Sequence, residues 1–129
     1  MAKPERAPLS ETQWEIMQAV WQLGEGSVSD VWKQMCESRE VARNTVLTQM
    51  DRLYKKRWLK RREDGNRHLY SATSKKEVTR REHVKRWVET AFSGAADQLV
   101  LSLLESQKLT AEERQRIREM IDSAKGGKK

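Results

Sequence analysis

The beginning of the chain repeats apolar positions at the spacing of an amphipathic α-helix. The repeating positions are Trp14, Ile16, Met17, Val20 and Trp21. Ser10 and Gln13 stand at the spacing of a capping box, in which a hydroxyl and an amide satisfy free backbone groups at a helix start. Gly24 follows the last apolar position, so the pattern predicts a first helix over 11–23.

A second capping pair, Ser27 with Asp30, precedes another apolar stripe. The stripe consists of Val28, Val31, Trp32 and Met35. These positions step along one side of a helix, which predicts a short second helix that ends near Ser38. Cys36 lies at its end and is expected to act as a small apolar side chain, with a redox role as the open alternative.

A third helix is predicted from Arg43 or Asn44 to Arg57, with two dissimilar faces. The apolar face repeats at i, i+4 and i+7 and consists of Val46, Met50 and Leu53. The opposite face is polar and consists of Asn44, Thr48, Asp51, Arg52 and Lys55, with Thr45 and Leu47 at its edges. Asp51 would repel phosphate unless Lys55 or Arg52 neutralises it.

A basic β-hairpin is predicted after the third helix. Strand patterns run over 58–62 and 67–71, and the residues of 64–66 form a turn between them. Three helices followed by a hairpin is the order of a winged helix-turn-helix, in which the hairpin is the wing. The sequence therefore predicts a mainly α protein that begins with this fold.

Three further helices are predicted over 75–91, 95–105 and 111–124, two of them beginning at the capping pairs Ser74 with Glu77 and Thr110 with Glu113. Amphipathic helices this short are marginal alone, so we expect them to pair with a second copy and form a homodimer. The expected dimer contacts are Val84, Trp87, Val88, Leu99, Val100, Leu103, Leu104, Ile117, Met120 and Ile121.

The predicted organisation thus has four parts. A flexible arm over 1–8 precedes a winged-helix domain over 9–73, and a helical dimerisation domain over 74–124 precedes a frayed basic tail over 125–129. Trp14, Trp21, Trp32 and Trp58 occupy apolar positions and are expected in the core of the winged-helix domain.

Composition and charge point to a polyanionic partner. Hydrophobic residues make up only 36% of the chain and charged residues 35%, so one copy buries little apolar surface and a second subunit is expected. The net charge is +7, and residues 39–70 alone carry ten basic and four acidic side chains. This local excess favours double-stranded DNA over a membrane, into which no segment is long and apolar enough to insert.

The same residues indicate no enzyme, metal or cofactor. The chain has one cysteine and two histidines, His68 and His83, and neither histidine has a nucleophile or carboxylate at a catalytic spacing. One cysteine cannot form a disulfide within the chain, and one cysteine with two histidines provides too few side chains for a typical metal site. These features, with no secretory signal, fit the reducing cytoplasm.

A duplex would be read by the polar face of the third helix. A major groove about 12 Å wide accepts one helix, and a neighbouring hairpin can lie over phosphates. The expected DNA-binding side chains are Arg43, Asn44, Thr45, Thr48, Arg52 and Lys55 in the helix and Arg61, Arg62 and Arg67 in the wing.

Three alternatives stay open from the residues alone. Asn44 is as well suited to capping the third helix as to bonding an adenine edge. The wing arginines could instead be a solvated edge strand protected by charge. The winged helix could also bind another protein without specific DNA binding, since a fold alone does not decide function.

Several segments resemble the bacterial penicillinase and methicillin-resistance repressors, the BlaI/MecI family. The segments are Leu9-Ser-Glu-Thr-Gln-Trp-Glu-Ile-Met17, Ala19-Val-Trp21, Asn44-Thr-Val46, Arg52-Leu-Tyr-Lys-Lys56 and Leu69-Tyr70. The resemblance runs from Leu9 to Leu104. It implies a homodimeric transcriptional repressor whose winged helices bind a dyad operator in a promoter and whose C-terminal helices form the dimer.

The resemblance also implies a partner and exposes three departures. A membrane sensor peptidase, or a protease that it activates, would cleave the repressor near the start of the fifth helix, where this chain has no Asn-Phe bond between Phe92 and Asp97. The copper-responsive branch carries cysteine pairs near the C-terminus, which this chain lacks. A glycine that often follows the third helix is Arg57 here, and a left-handed cap would cost it about 1 kcal/mol, so a different turn is expected.

Overall fold

A computed structural model describes residues 7–127 of the chain, with side chains as far as position 124. Its elements are α1 (Glu11–Leu23), α2 (Val28–Met35), α3 (Arg43–Lys55), β1 (Leu59–Asp64), β2 (Arg67–Ala72), α4 (Lys76–Ala91), α5 (Ala96–Ser106) and α6 (Ala111–Gly127). The chain is mainly helical, and three helices followed by a hairpin confirm the predicted element order of a winged helix-turn-helix. The chain divides into two compact units after His83.

The first unit is held by a core that α1, α2, α3 and the hairpin share. The side chains with no exposed surface include Ile16, Val20, Val31, Val46, Met50 and Leu53. They come from the apolar faces predicted for the three helices, so the predicted pattern of inward positions is confirmed. Each helix exposes its opposite side because only one side of it is needed to fill this core.

The helix starts follow the capping chemistry of the sequence. The Ser10 hydroxyl accepts a hydrogen bond from the Gln13 backbone N–H, and the Gln13 side chain accepts one from the Ser10 N–H. The same reciprocal pair joins Ser27 and Asp30 at the start of α2. Thr110 and Glu113 repeat it before α6. Because these bonds depend on local spacing alone, the sequence predicted each of them.

Tryptophan side chains join the core to the chain segments around it. The indole N–H of Trp21 donates to the Ser74 carbonyl, that of Trp32 to the Val41 carbonyl, and that of Trp58 to the Ala7 carbonyl. Trp58 is buried, while Trp14, Trp21 and Trp32 are half-buried and pack against the core. The predicted core role of these side chains is confirmed, and their polar atoms fix loops at the same time.

The first unit extends into α4, beyond the predicted domain end at residue 73. His83 and Thr79 of α4 are buried. The Nε2 atom of His83 accepts a hydrogen bond from the Leu9 N–H at 3.0 Å, and its Nδ1 atom lies 3.0 Å from the Thr79 carbonyl oxygen. The His83 ring also contacts the Trp14 and Trp58 rings, with centroids 4.9 and 5.6 Å apart. His83 is therefore part of the packing of this unit.

The first strand of the wing begins one residue later and ends two residues later than predicted, and the second strand continues to Ala72. Leu59 pairs with Ala72 and Asp64 pairs with Arg67, so only two residues form the turn. Trp58, predicted to start the first strand, lies just before it: its backbone N–H donates to the Leu53 carbonyl, and its own carbonyl accepts from the Thr73 N–H. Gly26 exchanges two backbone hydrogen bonds with Tyr70 of β2, which ties the α1–α2 connection to the wing.

The ends of α2 and α3 differ from their predicted bounds. Helix α2 stops at Met35 because residues 37 and 38 form tighter turn bonds to carbonyls three residues back. Helix α3 ends at Lys55, and Arg57 adopts a left-handed conformation with φ of 71°. The prediction that Arg57 would avoid a left-handed cap is wrong.

A complete Schellman motif explains the conformation of Arg57. The Trp58 N–H donates to the Leu53 carbonyl at 2.9 Å, and the Arg57 N–H donates to the Tyr54 carbonyl at 3.1 Å. Leu53 and Trp58, which this turn brings to the core, are both buried. Burial of this apolar pair offsets the backbone cost at Arg57.

The second unit has no buried core of its own. Between residues 84 and 124, every side chain is exposed or half-buried. The exposed large apolar side chains there are Val84, Trp87, Val100, Leu101, Leu103, Leu104, Met120 and Ile121. Helix α6 continues to Gly127, past its predicted end at 124. The remaining two positions of the predicted tail, and most of the predicted N-terminal arm, lie outside the described residues.

We predict that Arg57→Gly stabilises the first unit by about 0.5–1 kcal/mol. Glycine adopts a positive φ without the steric clash that the arginine Cβ makes, which stabilises the folded state. Glycine also raises the conformational entropy of the unfolded chain, but this offsets only part of that stabilisation. Urea unfolding followed by tryptophan fluorescence measures the change. Lys56→Gly is the matched control, because Lys56 has a negative φ and glycine there should destabilise. A lower midpoint for Arg57→Gly would contradict the prediction.

Candidate nucleic-acid interface

The outward side of α3 presents the predicted reading residues together. Asn44, Thr45, Thr48, Arg52 and Lys55 are exposed, on the side opposite to the buried face of α3. The helix begins at Arg43 with Ala42 as its N-cap, and no side chain caps it. The capping alternative for Asn44 is therefore wrong, and its amide is exposed in the first turn.

Two polar contacts order the side chains of this surface. The Arg43 guanidinium donates two hydrogen bonds to the Ser29 hydroxyl, which joins the start of α3 to α2. The Lys55 ammonium lies 3.0 Å from the Asp51 carboxylate, one helical turn away. Of the two candidate partners of Asp51, Lys55 and Arg52, Lys55 makes the ion pair, and the repulsion that this carboxylate would exert on a phosphate is reduced.

Arg61 of β1 connects the wing to α3. Its guanidinium carbon lies 3.9 Å from the centroid of the Tyr54 ring, a cation–π contact with the last turn of α3. Its Nη1 atom also donates to the Tyr70 hydroxyl at 3.5 Å, and this hydrogen bond raises the pKa of Arg61 above its ordinary value. Arg61 is therefore a fixed cation beside α3.

Arg62 and Arg67 lie on the other face of the hairpin, because side chains alternate along a strand. Arg62 makes a two-bond ion pair with Glu25 in the α1–α2 connection, at 2.8 and 2.9 Å. This pair lowers the pKa of Glu25 below its ordinary value. Arg67 lies 3.5 Å from the Asp64 carboxylate across the turn. The structure thus brings Arg61 next to α3 and leaves Arg62 and Arg67 on a separate face.

Ion pairs with acidic side chains reduce the number of basic residues in 39–70 that contribute free positive charge near α3. Arg39, which belongs to the basic stretch 39–70, pairs with Glu15 of α1 at 2.7 Å and is not part of α3. The Glu15 hydrogen bond raises the pKa of Arg39 above its ordinary value. The positive charge near α3 is therefore carried by fewer side chains than the ten basic residues of 39–70 indicate.

Sequence reasoning missed four side chains that shape this surface. Ser29, Glu25, Tyr54 and Tyr70 hold the basic residues described above, and each contact crosses between elements. The apolar side chain of Leu47, placed only at the edge of the face, is exposed on α3. Tyr54 follows Leu47 by seven residues, so the two lie on one flank of α3. This spacing is a sequence signal that could have placed Tyr54 beside the predicted DNA-binding face.

The described part of the chain shows neither a metal site nor a membrane-spanning helix. Within it, no group of three or more His, Cys, Asp or Glu side chains is placed to hold a metal ion. None of its helices is long and apolar enough to cross a membrane. The exposed side of α3 with the adjoining Arg61 is the candidate site.

Comparisons with known proteins agree with the resemblance seen in the sequence. A model of the penicillinase repressor family matches residues 9–123. The penicillinase repressor of Staphylococcus aureus is 25% identical over 114 residues, which are 88% of this chain and 90% of that protein. The methicillin resistance regulatory protein MecI of Mammaliicoccus sciuri is 23% identical, over 88% of this chain and 93% of that protein. The predicted family resemblance is confirmed.

Solved structures share the fold. The solution structure of the DNA-binding domain of the repressor BlaI aligns with a TM-score of 0.51 and 20% identity, over 57% of this chain and 90% of that one. A mutant MarR from E. coli, solved with operator DNA, aligns with a TM-score of 0.51 and 17% identity, over 90% of this chain and 75% of that one. At these identities the likeness concerns the fold, and it confirms the winged helix.

We predict that Arg62→Gln raises the pKa of Glu25 toward its ordinary value, because the hydrogen bonds from Arg62 are the largest cause of its depression. A depressed carboxyl pKa contributes stability above the unfolded pKa and loses it as the pH falls through the folded one. NMR titration of the side-chain carboxyl carbon measures the shift. Asp30 is the internal control: its pKa is lowered chiefly by the Ser27 backbone N–H and should stay low. An unchanged Glu25 titration would contradict the role of Arg62.

Proposed function

Because the chain belongs to the penicillinase repressor family, we propose that it is a transcriptional repressor that binds a dyad operator in promoter DNA as a homodimer. Helix α3 would enter the major groove, and the wing would lie over the sugar-phosphate backbone. Occupation of the promoter would exclude RNA polymerase. Such a protein would act in the cytoplasm.

The observation that carries the proposal is the exposed face of α3 with Arg61 fixed at its side. Asn44 and Thr48 are short polar side chains, exposed near the start of the helix, and can reach base edges. Arg61 is held against Tyr54, so its charge keeps a defined position relative to those readers. A guanidinium stacked on a ring retains N–H donors for phosphate, because the stacked face uses none of them.

The other predicted contacts support this division between reading and anchoring. Arg52 and Lys55 are exposed on the last two turns of α3, where long side chains can reach a phosphate at the groove edge. Arg43 and Thr45 are exposed at the start of the helix, where they could contact phosphate or a base edge. Arg62 and Arg67 would contact DNA only if their pairing with Glu25 and Asp64 is exchanged for phosphates.

The homodimer is supported by the composition of the second unit. Val84, Trp87, Val100, Leu103, Leu104, Met120 and Ile121, all expected dimer contacts, are exposed, and Val88, Leu99 and Ile117 are half-buried. A unit in which every side chain of residues 84–124 is exposed or half-buried would be marginal as a single copy, and a second copy would supply the missing apolar partner. Two recognition helices would then fall about 34 Å apart, in successive major grooves.

Release of the operator would involve a further partner. The resemblance implies a membrane sensor peptidase or a protease that it activates. The loop where such cleavage would fall contains Ser93 and Gly94, both exposed and both with positive φ. An exposed loop is a suitable protease site, which supports this part of the proposal.

The second candidate function is a winged helix that binds another protein without specific DNA binding. The exposed apolar side chains Leu23 and Leu47 of the first unit would suit such a partner. An electrophoretic mobility shift at moderate salt separates the two. Enrichment of a palindromic duplex over random duplex supports the repressor, and equal or absent binding leaves the protein-binding alternative.

We predict that Thr48→Ala weakens binding to the operator about three- to tenfold and leaves binding to random duplex unchanged, because a lost base contact affects only the matching sequence. Arg61→Ala should weaken both duplexes by a similar factor and reduce the slope of log affinity against log salt by about 0.9. Fluorescence anisotropy at several salt concentrations measures both. Equal losses on both duplexes for the two variants would refute these roles.

We predict that Leu103→Asp converts the dimer to a monomer, because a carboxylate would be buried in the apolar contact between copies. Sedimentation velocity measures the mass, and operator affinity should fall with dimer loss. Ser102→Asp is the control, as it adds the same charge at an exposed polar position of the same helix. A Leu103→Asp protein that stays dimeric would contradict the proposed contact.

A further inference from the structure

Leu47 is an apolar side chain in an unusual place. Among residues 7–83 of the described chain, two large apolar side chains are exposed, Leu23 at 38% and Leu47 at 42%. Leu23 ends α1, beside the connection to α2. Leu47 lies within α3, next to Thr48 and one turn after Asn44, both of which are polar and exposed.

The core does not need Leu47. The buried face of α3 is already filled by Val46, Met50 and Leu53, none of which has exposed surface. One exposed leucine is ordinary on a protein surface. Its significance here comes from its position, since the surrounding residues form the face proposed to enter a groove.

The flank of α3 that carries Leu47 is the one nearest the wing. Tyr54 follows Leu47 by seven residues, which is close to two turns, so both lie on the same side of the helix. Arg61 of β1 packs on the Tyr54 ring at 3.9 Å. Leu47 therefore lies on the surface of α3 between the proposed reading residues Asn44 and Thr48 and the cation Arg61.

The major groove offers one apolar group at its base edges, the 5-methyl group of thymine. We infer that Leu47 contacts such a methyl group and makes the α3 face prefer an A·T pair at that position. The inference rests on the proposed function and names a specificity-determining residue for it. Asn44, one turn earlier, can bond an adenine edge, so polar and apolar readers of A·T pairs would stand side by side.

Removal of single methyl groups from the DNA tests this contact. A duplex is first selected by the wild-type protein from a randomised pool. Each thymine is then replaced in turn by deoxyuridine, which keeps base pairing and lacks the methyl group. We expect wild type to lose about fourfold in affinity at one thymine per half-site, as burial of a methyl-sized group predicts.

Leu47→Ala should respond differently to the same DNA. It should bind the thymine duplex about fourfold or more weakly than wild type, and uracil at the sensitive position should cause no further loss. Leu23→Ala removes the same atoms at a similar exposure and should match wild type on every duplex. Circular dichroism spectra and urea midpoints of both variants check that folding is retained.

Two results overturn the inference. Either no thymine proves sensitive in wild type, or uracil at the sensitive thymine weakens Leu47→Ala by the same factor as wild type. In both cases the selected duplex is still bound, so the proposed repressor function stands. A wild-type protein that enriches no duplex would instead overturn the proposed function, and this inference with it.

Discussion

Burial of one side of α3 is the constraint on which the rest of the structure depends. Val46, Met50 and Leu53 have no exposed surface, so the opposite side of this 13-residue helix must face outward. Both ends of the helix are also fixed: Arg43 bonds Ser29 of α2 at one end, and the Schellman turn that buries Trp58 holds the other. A reading surface needs such preorganisation, because rotation by one residue would replace its polar side chains with apolar ones.

The electrostatics of the surface depend on pairing as much as on composition. Glu25 engages Arg62 and Glu15 engages Arg39, which directs two cations of the basic stretch to internal contacts. Arg61 is held by aromatic side chains instead of a carboxylate, so its charge is not cancelled where it adjoins α3. The proposed interface is thus a polar reading helix with a localised cation at its side. Such a pattern suits specific binding better than a uniformly basic surface does.

Local chemistry made much of this fold predictable. The capping pairs, the apolar periodicity and the two faces of α3 depend on residues within a few positions of one another. Contacts distant in sequence were not predictable, such as Arg62 with Glu25 or His83 with Leu9. Arg57 shows the same limit: intrinsic preference argues against its left-handed conformation, and burial of Leu53 with Trp58 overrides it. The division after His83 follows from buried groups in α4 that no local pattern marks.

Affinity cleavage can test whether the outward side of α3 lies in a major groove. Cys36 is the single cysteine, so a Cys36→Ser, Ala42→Cys protein carries one attachment point for an iron chelate that cleaves nearby DNA. Ala42 is the exposed N-cap of α3 and lies outside the proposed DNA contacts. Two cleavage centres are expected on a selected duplex, about 10 base pairs or one helical turn apart. The same chelate placed at Ser102→Cys should not cleave at these centres. Diffuse cleavage from position 42, or none, would contradict the placement of α3 in the groove.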